Sequence, residues 1–551
     1  MAVFTPLKNL LKDQRSLPVL FLLLLIGLYV FSSQMIEQSP RIESITPEVG
    51  APGKVLVISG EHFGTERNGA EVIFAGTRPN STSYVEWTEN RISVRIPEDV
   101  GSGKLYVRIG NKASNSVLFT NSRHIPKQLS GPAAPGMPYV ASLDNPGGPI
   151  GSVVSIRGLN FGSEQGSGRV YFSSTIAQND QGREVIDRGI ICSLADFDYE
   201  SWEDQAIEVR VPDNATSGSI RVLTDRGVSN ALYFEVTDLA GDRILREKRG
   251  YQINYTVEIE EADASPGNSL NLWIPNVMKS PTQDNLEAVR DPIPLWEDYN
   301  GVARYRLQEL EPWRRYTVSV TYWLDRTALE TRIVPSRIIS EYDRDWRLYR
   351  VYTSPDSYVP SATREIETMS ARAIGRESNP YLKARNIFRV ITRDFAPSAA
   401  GNDTVALFLE NRQGDSFDYA RLYTAMLRAS GVPARIISGC YIFGDSTTSF
   451  HYWVEFYVPG FGWVPSDPFI GDGGYGEEPE VDDPQEYYFA NVDNRRIAFS
   501  RGIIELRPTD PGSRLNVKSR IYSLQTIHEE AVGNISSYQS RWFPVRVIDR
   551  W

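Results

Sequence analysis

The chain has 551 residues, 58 of them basic and 69 acidic, for a formal net charge of −11. At about 100–200 residues per domain this length predicts roughly three to five domains, and the acidic balance excludes the concentrated basic face of a nucleic-acid binder. Two cysteines cannot form a disulfide framework, and four scattered histidines offer little for a zinc site. We therefore expect a multidomain protein with no nucleic-acid partner, no metal site and no cofactor.

An apolar stretch near the start of the chain predicts a transmembrane helix. No charge occurs from Leu17 to Phe31, and three basic residues lie between positions 8 and 15. The stretch approaches the about 20 residues that cross a bilayer, and its positive flank favours a cytoplasmic start. We expect a cytoplasmic segment at 1–16 and a signal anchor at 17–36, with the bulk of the chain in the periplasm or at the cell surface. A cleaved signal peptide is the alternative.

Two stretches of the chain repeat one another. Val55–Gly64 matches Val153–Gly162, each ending in Gly-x-x-Phe-Gly, and Ile92–Pro97 matches Ile207–Pro212. Apolar residues alternate in every segment, and Gly, Pro and Asn stand between the segments. This pattern predicts half-buried strands in two small antiparallel sandwiches.

The two copies resemble IPT/TIG domains, an immunoglobulin-like family. The resemblance depends on the opening Ile45-Thr46-Pro47, the Gly-x-x-Phe-Gly turns and a Ser-Asn pair before the last aromatic strand of each copy. It covers residues 39–122 and 137–238, with a Pro- and Gly-rich linker at 123–136. The resemblance implies Ig-like modules that act as spacers or adhesive surfaces.

Residues 239–345 form a third β-rich stretch. Tyr251–Ile259 and Arg315–Trp323 alternate cleanly between apolar and polar residues. The loops between these two segments contain Pro275, Pro281, Pro292 and Pro294. We interpret this stretch as a further β-sandwich that packs against the domain after it.

Beyond residue 360 the apolar spacing becomes helical, and strands follow. The predicted helices are 361–374, 381–395 and one that opens at 414–420 and ends at 429, and the predicted strands are 434–438 and 451–458.

Three residues in this last part supply the chemistry of a catalytic triad. Ser416 lies at the predicted start of the third helix, His451 begins the second strand, and Asp467 follows a Trp-Val-Pro-Ser turn. A helix dipole acidifies a nucleophile at its N-terminus, a histidine accepts its proton, and an aspartate orients the histidine. The order of elements would let the three side chains converge.

This region resembles the transglutaminase-like superfamily, with its papain-like core. The motifs that carry the resemblance are Gly414-Asp415-x-x-Asp418-Tyr419-Ala420, Leu427 to Arg435, His451-x-Trp-Val-Glu455 and Gly462-Trp-Val-Pro-Ser-Asp467. The resemblance covers residues 346–505, leaving a C-terminal extension at 506–551. It implies an α+β core that catalyses acyl transfer or amide hydrolysis with a Cys–His–Asp triad. The complete prediction is an N-terminal transmembrane helix, two Ig-like β-sandwiches, a further β-sandwich and this core.

Ser416 stands where the resembled family has its nucleophilic cysteine. A thiolate forms readily beside a protonated histidine, starting from a pKa of about 8.5, whereas a serine hydroxyl forms no such stable ion pair. We therefore expect a catalytically degraded protein that binds a peptide, protein or cell-wall ligand as a scaffold. The alternative is an active amide hydrolase or acyl transferase that uses a Ser416–His451–Asp467 triad.

A cysteine and a glycine-rich stretch also lie near these residues in the sequence. Cys440 is expected to be a small buried residue and not a substitute nucleophile, and a Cys192–Cys440 disulfide is disfavoured. The glycine-rich, acidic stretch at 471–483 is interpreted as a mobile loop near the mouth of the cleft.

Overall fold

The computed structural model describes residues 39–121 and 136–551, except for positions 48, 51, 68, 98–99, 102, 111, 175–176, 179–188, 445 and 477–480. Two compact units divide the chain, one ending at residue 130 and one beginning at 131. Among the described residues, no helix has both the length and the apolar character to span a membrane. The predicted anchor at 17–36 lies outside the described residues, as does the predicted linker except for its last residue.

The first unit contains a two-sheet β module. Its strands are β1 (Arg41–Thr46), β2 (Val49–Gly50), β3 (Val55–Glu61), β4 (Glu71–Phe74), β5 (Tyr84–Thr88), β6 (Arg91–Arg95), β7 (Gly103–Ile109), β8 (Lys112–Ala113) and β9 (Val117–Asn121). One sheet has the order β1-β3-β6-β5, and the other has β2-β9-β7-β4 with β8 on β7. The predicted alternation in β3 is observed, since Leu56 and Ile58 are fully buried between the sheets.

The second β module, at the start of the second unit, repeats this arrangement. Its strands are β10 (Tyr139–Leu143), β11 (Gly147–Gly148), β12 (Val153–Leu159), β13 (Arg169–Phe172), β14 (Ala177–Gln178), β15 (Ile190–Ile191), β16 (Tyr199–Glu203), β17 (Ala206–Arg210), β18 (Gly218–Thr224), β19 (Gly227–Val228) and β20 (Leu232–Val236). The order β10-β12-β17-β16 matches that of β1-β3-β6-β5 in the first module. The two copies detected as a sequence repeat therefore share one strand order.

A long, bent strand organises the β-sandwich that follows. The strands are β21 (Gly241–Pro275), β22 (Gln283–Asp291), β23 (Trp296–Tyr299), β24 (Val302–Gln308) and β25 (Tyr316–Ile333). Their order is β22-β25-β21-β24-β23. The two segments with clean alternation in the sequence pair with each other, with Ile253 opposite Tyr322 and Ile259 opposite Tyr316.

The end of the chain completes this sandwich. Residues 506–551, interpreted from the sequence as an extension, contain β32 (Arg514–Asn516), β33 (Glu529–Trp542) and β34 (Arg546–Arg550). Both β33 and β34 pair with β21, for example Val257 opposite Trp542. Trp542 is buried, and its indole N–H donates to Glu529 at 2.8 Å. The C-terminal residues are thus part of a sheet that begins almost 300 residues earlier.

In the sequence, the α+β core lies between the two parts of the sandwich. Its helices are α1 (Arg347–Thr353), α2 (Arg364–Ile374), α3 (Pro380–Asp394), α4 (Val405–Asn411), α5 (Ser416–Ala429), α6 (Pro468–Gly471) and α7 (Pro484–Ala490), and its strands are β26 (Ala396–Pro397), β27 (Gln413–Gly414), β28 (Ala434–Phe443), β29 (Thr447–Val458), β30 (Gly462–Ser466) and β31 (Arg496–Arg501). The sheet order is β30-β29-β28-β31. Helix α5 is buried along nearly its whole length and packs on β28 and β29.

A buried arginine joins the second β module to this core. Arg435 of β28 is 1% exposed and pairs with Asp196 of the module and, at 2.8 Å, with Glu455 of β29. The Trp463 indole N–H donates to the same Asp196 carboxylate at 3.1 Å. These contacts hold the module and the core in one packed unit.

Candidate active site

Helix α5 begins at the residue predicted to be the nucleophile. Asp415 is the N-cap, since its Oδ1 accepts the N–H of Asp418 at 3.0 Å while its own N–H donates to Asp418 Oδ2 at 3.2 Å. This reciprocal pattern is a capping box, which satisfies two donors at the start of the helix. Ser416 is the first helical residue and only 4% exposed. Its backbone N–H belongs to the first turn, where the helix leaves donors unpaired and its dipole favours negative charge.

Strand β29 holds the start of the helix. The Tyr452 N–H donates to Ser416 Oγ at 3.3 Å, and the Tyr452 ring packs on Phe417 with the ring centroids 4.5 Å apart. The Tyr452 hydroxyl in turn donates to the Ile521 carbonyl at 2.5 Å. Ser416 is therefore held against Tyr452, the residue that follows His451 on β29.

His451 and Asp467 form a direct buried pair. His451 Nε2 lies 2.6 Å from Asp467 Oδ2, and both side chains are fully buried. Asp467 follows β30 and also caps α6, because its Oδ1 accepts the Ile470 N–H at 3.1 Å. A carboxylate at Nε2 places the ring proton on that nitrogen, which leaves Nδ1 as an acceptor in the neutral ring. Asp467 thus contacts the histidine and caps a helix at the same time.

Arg496 of β31 also contacts Asp467, so the buried group has three members. The sequence did not indicate this arginine. Its Nε and Nη2 donate to the same Asp467 Oδ2 at 3.0 and 2.7 Å, and its Nη1 pairs with Asp493 at 2.5 Å. Burial alone would raise the pKa of Asp467, but His451 and Arg496 outweigh it and lower that pKa to about 2. The carboxylate is anionic at neutral pH, and its charge is shared between a histidine and an arginine.

Tyr475 occupies the remaining nitrogen of the histidine. Its hydroxyl is 3.0 Å from His451 Nδ1, so with Nδ1 as acceptor the tyrosine donates the hydrogen bond. Its ring stacks on Tyr441 with centroids 5.0 Å apart and meets the edge of Phe443 at 4.5 Å. Burial raises the pKa of Tyr475, while the hydroxyls of Ser449 and Ser416 act in the opposite direction. Tyr475 belongs to the glycine-rich stretch that was interpreted as a mobile loop.

The structure brings the three predicted residues close, but it does not link them as a triad. Within the part of the chain that the structure describes, no hydrogen bond joins Ser416 to His451. Ser416 Oγ accepts from the Tyr452 backbone, and the His451 acceptor nitrogen is bonded to Tyr475. Both groups that would exchange a proton in catalysis therefore have other partners.

The cysteines lie away from this chemistry. Cys440 is fully buried and stands opposite Phe450, whereas His451 stands opposite Gly439. Consecutive strand residues point to opposite faces, so Cys440 faces away from the histidine, toward the sandwich. Burial raises the pKa of its thiol to about 12. Cys440 and Cys192 are both free and buried, and for Cys440 this confirms the expected small buried residue.

An arginine from the C-terminal segment neutralises the acidic start of α5. Arg520 pairs with Asp415 and, at 3.3 Å, with Asp418, and Arg421 pairs with Asp418 at 2.5 Å. Burial and the nearby Asp418 raise the pKa of Asp415, although Arg520 acts against them. The sequence gave no signal for this arginine, which lies 105 residues after Asp415. Among the described residues, no cluster of three or more His, Cys, Asp or Glu is arranged to hold a metal ion.

Comparisons with known proteins identify two of the domains. Residues 367–468 match the model of the transglutaminase-like superfamily, and residues 40–122 match that of the IPT/TIG domain. A cyclomaltodextrin glucanotransferase of Paenibacillus macerans is 35% identical over 86 residues, which are 15% of this chain and only 12% of that enzyme.

Several solved structures are similar to this chain over more than half of its length. A proposed cysteine protease from Cytophaga hutchinsonii is 16% identical with a TM-score of 0.37, covering 56% of this chain and 93% of that one. The periplasmic domain of TgpA from Pseudomonas aeruginosa is 17% identical with a TM-score of 0.24, covering 56% of this chain and 91% of that one. From the family matches, the chain contains a transglutaminase-like domain, which includes Ser416, His451 and Asp467, and an IPT/TIG domain.

Proposed function

We propose that this is a membrane-anchored, extracytoplasmic protein whose transglutaminase-like domain binds a peptide, protein or cell-wall strand without turning it over. In this account Ser416 stands in the position of the family's nucleophilic cysteine. The β modules project the domain away from the membrane.

The hydrogen bond between Tyr475 and His451 carries the proposal. A general base acts through an unoccupied lone pair within hydrogen-bonding reach of the group it deprotonates. Here the Nδ1 lone pair of His451 accepts the tyrosine hydroxyl at 3.0 Å. A cysteine could still ionise beside a histidine and a helix start, but a serine depends on proton removal in concert with its attack. The combination of serine and occupied base favours binding without catalysis.

Arg496 adds a second argument. An aspartate in a catalytic triad stabilises the imidazolium that forms when the histidine accepts a proton. Asp467 shares the oxygen that contacts His451 with the buried guanidinium of Arg496. Asp467 is therefore not reserved for the histidine, because the same oxygen also pairs with a buried arginine.

The location proposed for the protein comes from its first residues. The uncharged stretch at 17–36 after a basic segment supports an anchor with a cytoplasmic start. Membranes washed with carbonate should retain the full-length chain, and protease added outside the cytoplasmic membrane should digest it beyond residue 39. Recovery of a soluble chain with a trimmed start would instead indicate a cleaved signal peptide, and a chain protected inside the cytoplasm would overturn the proposed location.

One observation favours a second candidate, an active hydrolase or acyl transferase. His451 and Asp467 have the short contact of a working pair, and Ser416 lies at a helix start beside them. If Tyr475 moved away, Ser416 Oγ would attack an amide carbonyl while His451 accepted its proton and returned it to the leaving amine. Water or an acceptor amine would then take the acyl group from the serine. The Ser416 N–H would stabilise the oxyanion.

Binding and turnover measured on the same samples distinguish the two candidates. The purified full-length chain is titrated with fluorescent glutamine peptides and muropeptides, and each mixture is examined for products by mass spectrometry. The proposal predicts saturable binding, the same within error in Ser416→Ala, and no product. A product that Ser416→Ala abolishes and the control Ser354→Ala, at an exposed serine whose hydroxyl bonds the Arg350 carbonyl, retains would establish the enzyme.

A further inference from the structure

A separate cavity lies on the β-sandwich. Its volume is about 480 Å³, and its lining residues come from β21, the β23–β24 hairpin, β33 and the segment after residue 506. None of these residues belongs to the transglutaminase-like domain, so the cavity does not depend on the function proposed for Ser416. A cavity of this size falls in the range of small-ligand sites.

Three aromatic rings form one wall of the cavity. Trp296 and Tyr299 are 42% and 38% exposed, and their ring centroids are 5.6 Å apart. Trp273 packs against both from below and is fully buried. Among the described residues its Nε1 has no hydrogen-bond partner. Partly exposed flat rings offer apolar faces to a ligand.

Three arginines line the same cavity. Arg304, Arg306 and Arg507 have no carboxylate within 4.0 Å in the described part of the chain. Arg304 lies over the Trp296 ring at 4.5 Å, and its Nη2 bonds Asn271 and Thr509. The Arg304 side chain is thus held in place by neutral hydrogen-bond partners. An unpaired group of guanidinium ions is suited to an anion, above all a carboxylate that accepts two parallel hydrogen bonds.

Two carboxylates lie near these arginines, Glu530 and Asp510, and Asp510, which lines the cavity, accepts the Gly512 N–H at 2.9 Å. Glu530 accepts hydrogen bonds from the Thr509 and Asp510 N–H groups and from the side chains of Thr509, Ser513 and Asn271. Burial would raise the pKa of Glu530, but these hydrogen bonds lower it. Glu530 therefore supports the loop that carries Thr509 and leaves the arginines for a ligand.

We propose that this cavity binds an acidic saccharide, with the sugar ring on Trp296 and Tyr299 and its carboxylate on Arg306 and Arg507. A sugar combines C–H faces that pack on aromatic rings with hydroxyls and, in uronic acids, a carboxylate. The carboxylates of an acidic peptide could also pair with the arginines, but the edge of the sheet offers such a peptide little backbone hydrogen bonding. Strand β23 has four residues and pairs with β24 only at Trp296 and Tyr299, with a bulge between them, so it offers a poor template for an added strand.

The test measures binding of hexagalacturonate to the full-length protein by calorimetry. Maltohexaose serves as a neutral sugar of equal length, and hexaglutamate as an acidic peptide. The proposal predicts that hexagalacturonate binds at least about tenfold more tightly than either, a difference of about 1.4 kcal/mol. It also predicts weaker binding as the salt concentration rises.

Variants assign the binding to the cavity. Trp296→Ala and the pair Arg306→Gln with Arg507→Gln should each weaken binding at least about tenfold. Trp313→Ala removes a tryptophan that is 88% exposed and does not line the cavity, so it should change nothing. Absence of hexagalacturonate binding, equal binding of hexaglutamate or maltohexaose, or affinity unchanged by the cavity variants would overturn the proposal.

Discussion

The Tyr475 hydroxyl lies 3.0 Å from His451 Nδ1, on the side of the ring opposite the Asp467 carboxylate. Both ring nitrogens of the histidine are therefore hydrogen-bonded within the protein. The phenol ring is stacked on Tyr441, so the contact is supported by packing as well as by the hydrogen bond. A ligand that reached Nδ1 would first have to displace a tyrosine from an aromatic cluster.

The first prediction concerns access to His451. Diethylpyrocarbonate attacks unprotonated, accessible imidazole nitrogen, and peptide mapping separates His451 from the chain's other histidines. We expect little modification of His451 in the wild-type protein and rapid modification in Tyr475→Ala. His62, whose side chain is 37% exposed, is the internal reference. If His451 reacted as fast as His62 in the wild-type protein, Tyr475 would not shield it.

The second prediction restores a thiol at the helix start. In Ser416→Cys the helix dipole favours the thiolate, but His451 cannot pair with it while Tyr475 occupies Nδ1. Adding Tyr475→Phe retains the ring and removes the hydroxyl. We expect alkylation by iodoacetamide at pH 7 to be about tenfold faster in the double variant, equivalent to lowering the thiol pKa by about one unit. Equal rates would contradict the account, and the buried Cys440 should stay unreacted in both variants.

The third prediction is a pH dependence of stability. The pKa of Asp467 is lowered from 3.8 to about 2 in the folded protein. The stability that its ionised form contributes is therefore present above about pH 4 and is lost as the pH falls through about 2. This change corresponds to about 2 kcal/mol. The difference in free energy of unfolding between the wild type and Asp467→Asn should shrink by that order from pH 4 to pH 2 in urea titrations, and a constant difference would contradict it.

The fourth prediction compares two arginines that contact Glu455. Arg435 is buried and also pairs with Asp196 of the second β module, whereas the Arg501 side chain is 30% exposed and 3.7 Å from the same glutamate. Removing one partner of a buried pair costs about 3 to 5 kcal/mol, and an exposed pair contributes at most about 1 kcal/mol. Arg435→Met should lower the free energy of unfolding much more than Arg501→Gln. Equal losses would show that the contacts of Arg435 between the second β module and the core contribute little.

Local patterns predicted the elements around the site well. The predicted helix at 381–395 is observed at Pro380–Asp394, and the strand predicted at 451–458 is observed as Thr447–Val458. Capping residues and apolar periodicity lie within each segment, so a single sequence contains them. The start of α5 at Ser416 was predicted for the same reason.

The contacts that decide the chemistry came from distant parts of the chain. Tyr475 lies 24 residues after His451 in a stretch whose glycines indicated a mobile loop, and Arg496 lies 29 residues after Asp467 on another strand. The pairing of β33 with β21 spans a still longer separation, so residues 506–551 looked like an extension. Long-range pairing has no local pattern, and only the fold shows it.

The central claim is that Ser416 is not a working nucleophile. The most direct measurement is the intact mass of the purified full-length protein after incubation with a fluorophosphonate, which adds covalently to an activated serine. Our account predicts no adduct at Ser416 in the wild-type protein, so that treatment shifts its mass no more than it shifts the mass of Ser416→Ala. A stoichiometric adduct that maps to Ser416 and is absent from Ser416→Ala would contradict it.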